Sequence, residues 1–279
     1  NGTKWSKLMN RANVSNLAWG VSGNSGTSTT TDFIGTIDNK PLVFKTNNIL
    51  SGKIDPGPNN VFFGQSAGAA ITSGVNNTFI GHIAGAADSS GSNNLFVGHF
   101  AGNANTRGSE NVFLGQDAGK NNTSGNLNTF VGEDAGIENT TGDENVFIGN
   151  GTGRNNTTGR YNAALGNSAL SSNTLGSRNA AFGHSVLFNN TVGNENSALG
   201  YNALFNNLNG SENVAVGHSA LFSNISGPDN SAVGYNALSA NTIGGNNSAL
   251  GHSALSFNTT GSTNSAFGSY ALAFNTTGN

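Results

Sequence analysis

Glu195, Glu212 and Asp229 are set seventeen residues apart, and His184, Tyr201, His218, Tyr235 and His252 keep the same interval. If the backbone repeats with that period, each set becomes a row on one surface. Carboxylates in such a row would stand about 4.8 Å apart, one strand spacing. Two bare charges at that distance repel by about 1 kcal/mol even in water. No Lys or Arg follows Arg178 to relieve them, so the acidic row is a candidate site for a hard cation such as calcium, which takes oxygen ligands. The competing reading is a solvated acidic stripe with diffuse counter-ions. The ring row, which His82 and His99 extend towards the N-terminus, could ligate metal, stack on sugars or form an ordinary polar face.

Other chemistry has little support. There is no cysteine, which removes disulfides, thiolate metal sites and a thiol nucleophile. No nucleophile, base and orienting acid fall into a local motif, and acids such as Asp117 and Asp134 share a row of the repeat rather than flank a groove. The glycines follow a structural period with no Lys-Ser/Thr after them, unlike a phosphate loop. The expectation is a non-enzyme without an obligatory cofactor. Charged residues are only 9% of the chain and the net charge is −3; a long surface nearly free of cations argues against nucleic acid. No apolar run approaches the roughly 20 residues of a membrane span. The chain opens on Asn1 and closes at the end of a repeat, which reads as a processed chain or a fragment.

The element that must position these rows is one unit repeated thirteen times. Its framework glycine stands at Gly64, Gly81, Gly98 and every seventeenth position to Gly268, without insertion or deletion. An asparagine precedes each by four residues (Asn60, Asn77, onward to Asn264), and a second glycine follows ten residues later (Gly74 to Gly278). A gapless period of this length marks a solenoid, in which each coil buries its apolar face only by stacking on its neighbours. Asn213 to Gly227 shows the expected grammar. Val214–Val216 reads as a strand, Gly217 as a bend or a close backbone approach, Ala220–Phe222 as a second strand, and Asn224–Gly227 as a return turn using left-handed backbone angles. Thirteen coils at about 4.8 Å would make a rod of about 60 Å. The asparagine rows, Asn60 to Asn264 and Asn105 to Asn275, read as in-register hydrogen-bonding ladders at the corners. The sequons at Asn139 and Asn275 then follow from turn composition.

The array changes its filling halfway. In six repeats the residue two before the glycine is Phe (Phe113 is typical) and the residue four after it is Gly (Gly119). In the last seven these become Ala (Ala215) and Leu (Leu221), and both switch between Gly149 and Gly166. A close-packed interior of fixed volume requires such an exchange, so the two positions should touch inside the coil. The residue just before each glycine is also apolar throughout, from Phe63 to Phe267. Adjacent strand residues point to opposite faces, so this second apolar row should meet another chain. The expected state is a parallel homotrimer.

Residues 1–58 lack the period and read as a lead-in or capping segment, with Trp5, Trp19, Phe33, Ile34, Leu42, Val43 and Phe44 as apolar anchors. Residues 42–45 read as a strand, and 55–58 as the turn into the first coil. Two further divisions follow: residues 59–159 with the Phe/Gly core and 160–279 with the Ala/Leu core.

The motifs Asn196-Ser-Ala-Leu-Gly200, Asn213-Val-Ala-Val-Gly217 and Asn230-Ser-Ala-Val-Gly234 resemble the head repeat of YadA-type trimeric autotransporter adhesins. The longer unit, with Gly-Tyr-Asn-Ala-Leu and Asn-Thr-Thr-Gly, is similar to arrays in bacterial and phage tail-fibre-domain proteins, and residues 32–47 resemble the segment preceding those arrays. The unit is longer than the usual YadA head repeat, and the Phe/Gly half lacks its small residue. The resemblance implies an all-β homotrimer of left-handed parallel β-rolls. It also implies an extracellular, cell-surface or virion tail-fibre location, and attachment to a surface glycan or host receptor. The alternative is an ice-binding solenoid that presents the column Thr106, Thr123, Thr140, Thr157 and Thr174.

Overall fold

The computed structural model describes residues 34–278; Trp5, Trp19 and Phe33, among the anchors expected of the lead-in, lie outside the described residues. The described chain contains no helix and forms one fifteen-stranded sheet whose strands follow sequence order. Strands β1 (Leu42–Thr46) and β2 (Ile49–Asp55) make an antiparallel hairpin. Its turn residues Asn47 and Asn48 both have left-handed φ, as a two-residue hairpin turn demands. Strand β2 pairs antiparallel with β3 (Asn60–Phe63) and so covers the first edge of the parallel array. The turn that delivers the chain into β3 occupies 56–59. Ile34, Val43 and Phe44 are exposed rather than core residues, although the Phe44 ring lies 5.5 Å from that of Phe63.

From β3 onward each repeat contributes one short strand, ending with Ser265–Phe267 (β15), and each pairs parallel and in register with the next. Phe113 lies opposite Phe96 and Phe130, and Ala215 opposite Ala198 and Ala232. A seventeen-residue period without slippage therefore becomes a parallel β-solenoid.

At the end of each strand the framework glycine makes both the bend and the close approach. Gly64, Gly81 and Gly217 have φ of 135°, 138° and 129°, a region that side chains rarely enter. A Cβ on Gly64 would also collide with Gly81 O of the next coil, and one on Gly81 with Gly98 O. The strict seventeen-residue recurrence of glycine at this position follows from those two demands together.

The second half of each coil differs from the expectation. Residues Ala220–Phe222 are turns, not a strand. Ser219 and Leu221 have φ of 54° and 52°, and the same alternation recurs along the array, through Asn202 and Leu204 or Asp117 and Gly119. Alternating left-handed residues fold the chain too tightly for a pleated strand. Inter-coil pairing nonetheless continues through these turns, with Leu221 N–H donating to Ala237 O at 2.9 Å and Ser219 N–H to Tyr201 O at 2.9 Å. The return segment is corrected as well. Gly227 does not have left-handed φ; it is glycine because a Cβ there would collide with Gly244 O of the next coil.

One hydrophobic cluster runs along the whole rod, from Phe62 to Ala266. The six phenylalanines of the first half are fully buried and stack face to face, with centroids 4.7 Å apart for Phe96 and Phe113 and 4.9 Å for Phe113 and Phe130. The ring spacing is the strand spacing, imposed by the backbone ladder. Across the coil, a Cβ on Gly119 would stand 2.6 Å from the Phe113 ring, so the two positions touch as the exchange requires. In the second half Ala215 and Leu221 are both fully buried in the same cluster. The division at 159/160 is thus a change of filling within one continuous body.

Candidate functional site

Two buried asparagine ladders hold the corner where each coil returns. Asn128 N–H donates to Asn111 Oδ1 at 3.0 Å, and Asn128 Nδ2 donates to Gly142 O at 2.9 Å. The pattern begins at Asn60 and Asn77 and extends to Asn213 and Asn264. In the second ladder Asn122 Nδ2 donates to Asn105 Oδ1 at 2.8 Å and to Gly125 O at 3.1 Å. Gly125 O also accepts from Asn111 Nδ2 at 2.9 Å, so each corner carbonyl sits between both ladders. These amides are satisfied inside the fold, as buried polar groups must be. Asn139 is fully buried and shares this bonding, which removes its sequon from the folded surface.

The second ladder ends on a carboxylate that the repeat motifs do not single out. Asp88 occupies the asparagine position one coil before Asn105 and is buried. Its oxygens accept from Gly91 N–H at 2.8 Å, Asn105 Nδ2 at 3.0 Å and Asn94 Nδ2 at 3.3 Å. Burial pushes the Asp88 carboxyl up to about 6, outweighing the donors that would hold it down. The signal in the sequence is its place seventeen residues before Asn105.

The acidic row lies on the surface. Glu195, Glu212 and Asp229 are exposed residues with left-handed φ. Arg178 belongs to the same row one coil earlier, and its Nη1 lies 3.3 Å from Glu195 Oε1. The relief expected to be lacking within the chain therefore exists for one acid, as an exposed pair of small energetic weight. No group of three or more His, Cys, Asp or Glu side chains converges among the described residues.

From His184 onward the ring row forms a continuous exposed stack, while His82 and His99 form a separate stacked pair with centroids 5.3 Å apart. His184, Tyr201, His218, Tyr235 and His252 follow one another at centroid distances of 5.1–5.2 Å. Successive histidines of this stack are two coils apart, about 10 Å, beyond what one metal with bonds of about 2 Å can bridge. Each inner ring also covers its neighbours' faces, so the row presents edges rather than the faces on which a sugar would stack. The threonine column is turned to internal use: Thr106 Oγ1 donates to Thr123 O at 2.9 Å, and Thr123 Oγ1 to Thr140 O at 3.0 Å.

What remains open is the outer side of the strands. The row just before the framework glycine is apolar in every coil, and none of its members is buried. Ile80, Leu165, Phe182, Leu199 and Leu250 are exposed, Leu199 by 52%, whereas their neighbours Phe79, Ala181 and Ala198 lie in the core. Compared with family models, curated proteins and solved structures, the chain matches none. Any functional reading therefore rests on this geometry and on the repeat motifs. The described residues contain no helix long and apolar enough to cross a membrane.

Proposed function

We propose that this chain is a structural segment of an extracellular fibre or adhesin, in which three copies lie parallel with their outer strand faces together, and that it serves surface attachment without catalysis. The observation that carries the reading is the unbroken outer apolar row from Phe63 to Phe267 beside a filled core. Apolar strips of this extent mark interaction surfaces. A strip about 58 Å long and a single short strand wide is covered along its length only by a body that runs with the rod. A second copy has the matching spacing at every coil. The resemblance of Asn196–Gly200 and Asn213–Gly217 to YadA-type head repeats favours three copies over two, and implies a cell-surface or virion location and a glycan or receptor as partner.

Light scattering on the native protein, with the denatured chain as reference, tests the assembly. About three times the chain mass is expected. A monomer at all concentrations would overturn the reading. The ice-binding alternative has weaker support, because Thr106, Thr123 and Thr140 donate their hydroxyl protons to neighbouring coils. Thermal hysteresis in the purified protein would reverse that ranking.

A further inference from the structure

A groove of about 530 Å³ crosses the turn segments of the last four coils. It arises from a break in a surface column. Phe188, Phe205 and Phe222 stack at 5.2 and 5.4 Å, but the next two members of that row are Ser239 and Ser256. The face of Phe222 turned away from Phe205 therefore opens onto the gap. At the other end Phe257 stacks on Phe274 at 5.6 Å, and the residue before it in its own row is Ala240. Its free face also opens onto the groove, and the side chain is 54% exposed. Two ring faces thus bound a gap of about two strand spacings.

The lining between them is polar and neutral. Asn236, Ser253 and Ser256 have no side-chain hydrogen bond to the protein among the described residues, and Ser239 Oγ donates only to Ser256 O at 3.3 Å. Among the described residues, no Asp, Glu, Lys, Arg or His lines the groove. Its occupant should be uncharged, with a flat apolar face for an aromatic ring and hydroxyls at its edge. Apolar walls with a few free polar groups are the usual composition of a small-molecule site.

We propose that this groove binds a neutral oligosaccharide, one pyranose lying against the exposed ring face of Phe257 and hydrogen-bonding to Ser253, Ser256 and Asn236. The inference rests on the attachment reading and deepens it by naming its ligand class. It uses the turn side of the coil and leaves the outer strand row free for assembly.

The test is saturation-transfer NMR and calorimetry on the full chain with cellotetraose, maltotetraose, tetra-N-acetylchitotetraose and, as a charged control, a hyaluronan tetrasaccharide. At least one neutral probe should bind, and Phe257→Ala should weaken it at least tenfold. Ser239→Phe, which prolongs the phenylalanine column and fills the gap, should abolish binding while leaving the unfolding midpoint unchanged or raised. Absence of binding by every neutral probe at millimolar concentration, preference for the charged control, or undiminished binding by Ser239→Phe would overturn the proposal. Light scattering on the same samples separates the two readings. A trimer that binds no sugar defeats the groove alone, and a monomer that binds defeats the assembly alone.

Discussion

In the coil that holds Phe113, the ring lies over Gly119; in the coil that holds Leu221, the facing residue is Ala215, and both are fully buried. The backbone is the same in both. The position of Gly119 has φ of 56° and that of Leu221 has 52°, so the turn demands a left-handed residue whichever side chain it carries. Glycine meets that demand freely. Leucine pays roughly 1–2 kcal/mol for it, and its burial must offset the strain. The first half thus keeps the turn relaxed and fills the coil from the strand, while the second strains the turn and fills the coil from there. Close packing tolerates either solution but not a mixture.

Single truncations in each half sharpen this contrast. Phe113→Ala should cost about 3–5 kcal/mol, because it opens a cavity and interrupts the ring stack. Leu221→Gly should cost less, about 2–4 kcal/mol, since the cavity penalty is partly offset by relief of the left-handed angle. Urea unfolding of the full chain, read as midpoint shifts, measures both. Leu221→Ala, which keeps the left-handed strain, should cost about 1 kcal/mol more than Leu221→Gly; a larger loss for the glycine variant would show that the leucine is unstrained.

The polar corner should not distinguish the halves. Asn122→Ala and Asn190→Ala each remove a side chain that donates to the preceding asparagine and to a corner carbonyl. Stranding those buried partners should cost about 2–3 kcal/mol, with the two values equal within about 0.5 kcal/mol. Unequal losses would mean that the ladders depend on the filling beside them.

The smallest effect belongs to the first half alone. The Asp88 carboxyl titrates at about 6 in the fold against 3.8 in its ordinary state, so the folded protein holds the proton more tightly. Its contribution is fully present below pH 3.8 and is lost as pH rises through about 6. A shift of about two pKa units sets a ceiling of about 3 kcal/mol. Asp88 lies in the second coil, where local opening at the end of the rod lets it ionise without global unfolding, so about 1–2 kcal/mol is expected. Asp88→Asn should raise the melting temperature above about pH 6 and flatten its pH dependence. A variant that melts like the parent at about pH 8 would contradict the assignment.

Much of this is legible in the sequence alone. The period, the strand before each glycine, the contact between the Phe113 and Gly119 rows, and the structural role of the asparagines all follow from residues that recur in register. The bend at Gly64 and Gly81 is legible for the same reason, since no other residue type occupies that row. The turn segment is not legible from its second half. Ala220-Leu221-Phe222 has strand-like composition, and a leucine in a left-handed conformation is uncommon enough that propensity points elsewhere. The signal lies in the other half, where the same position is glycine from Gly68 to Gly153. Rows for function are harder to read, since equal spacing says which residues align but not which way they face. The stacked edges of the His184–His252 row emerge only from the three-dimensional fold, whereas the alignment of Arg178 with Glu195 is open to reading in their seventeen-residue spacing. The groove beside Ser239 likewise emerges only from the fold, because it depends on a residue that is small only relative to its neighbours in the column.

A double-mutant cycle across the core tests most directly the claim that one volume is filled in two ways. Gly119→Leu alone should destabilise strongly, because even its Cβ would meet the Phe113 ring, and Phe113→Ala alone should leave a cavity. The double variant reproduces the Ala215/Leu221 pairing inside the first half. It should recover about 2–3 kcal/mol of the summed losses, a coupling typical of residues in contact. Additivity within about 0.5 kcal/mol would contradict the account, since two positions that share a volume cannot lose stability independently.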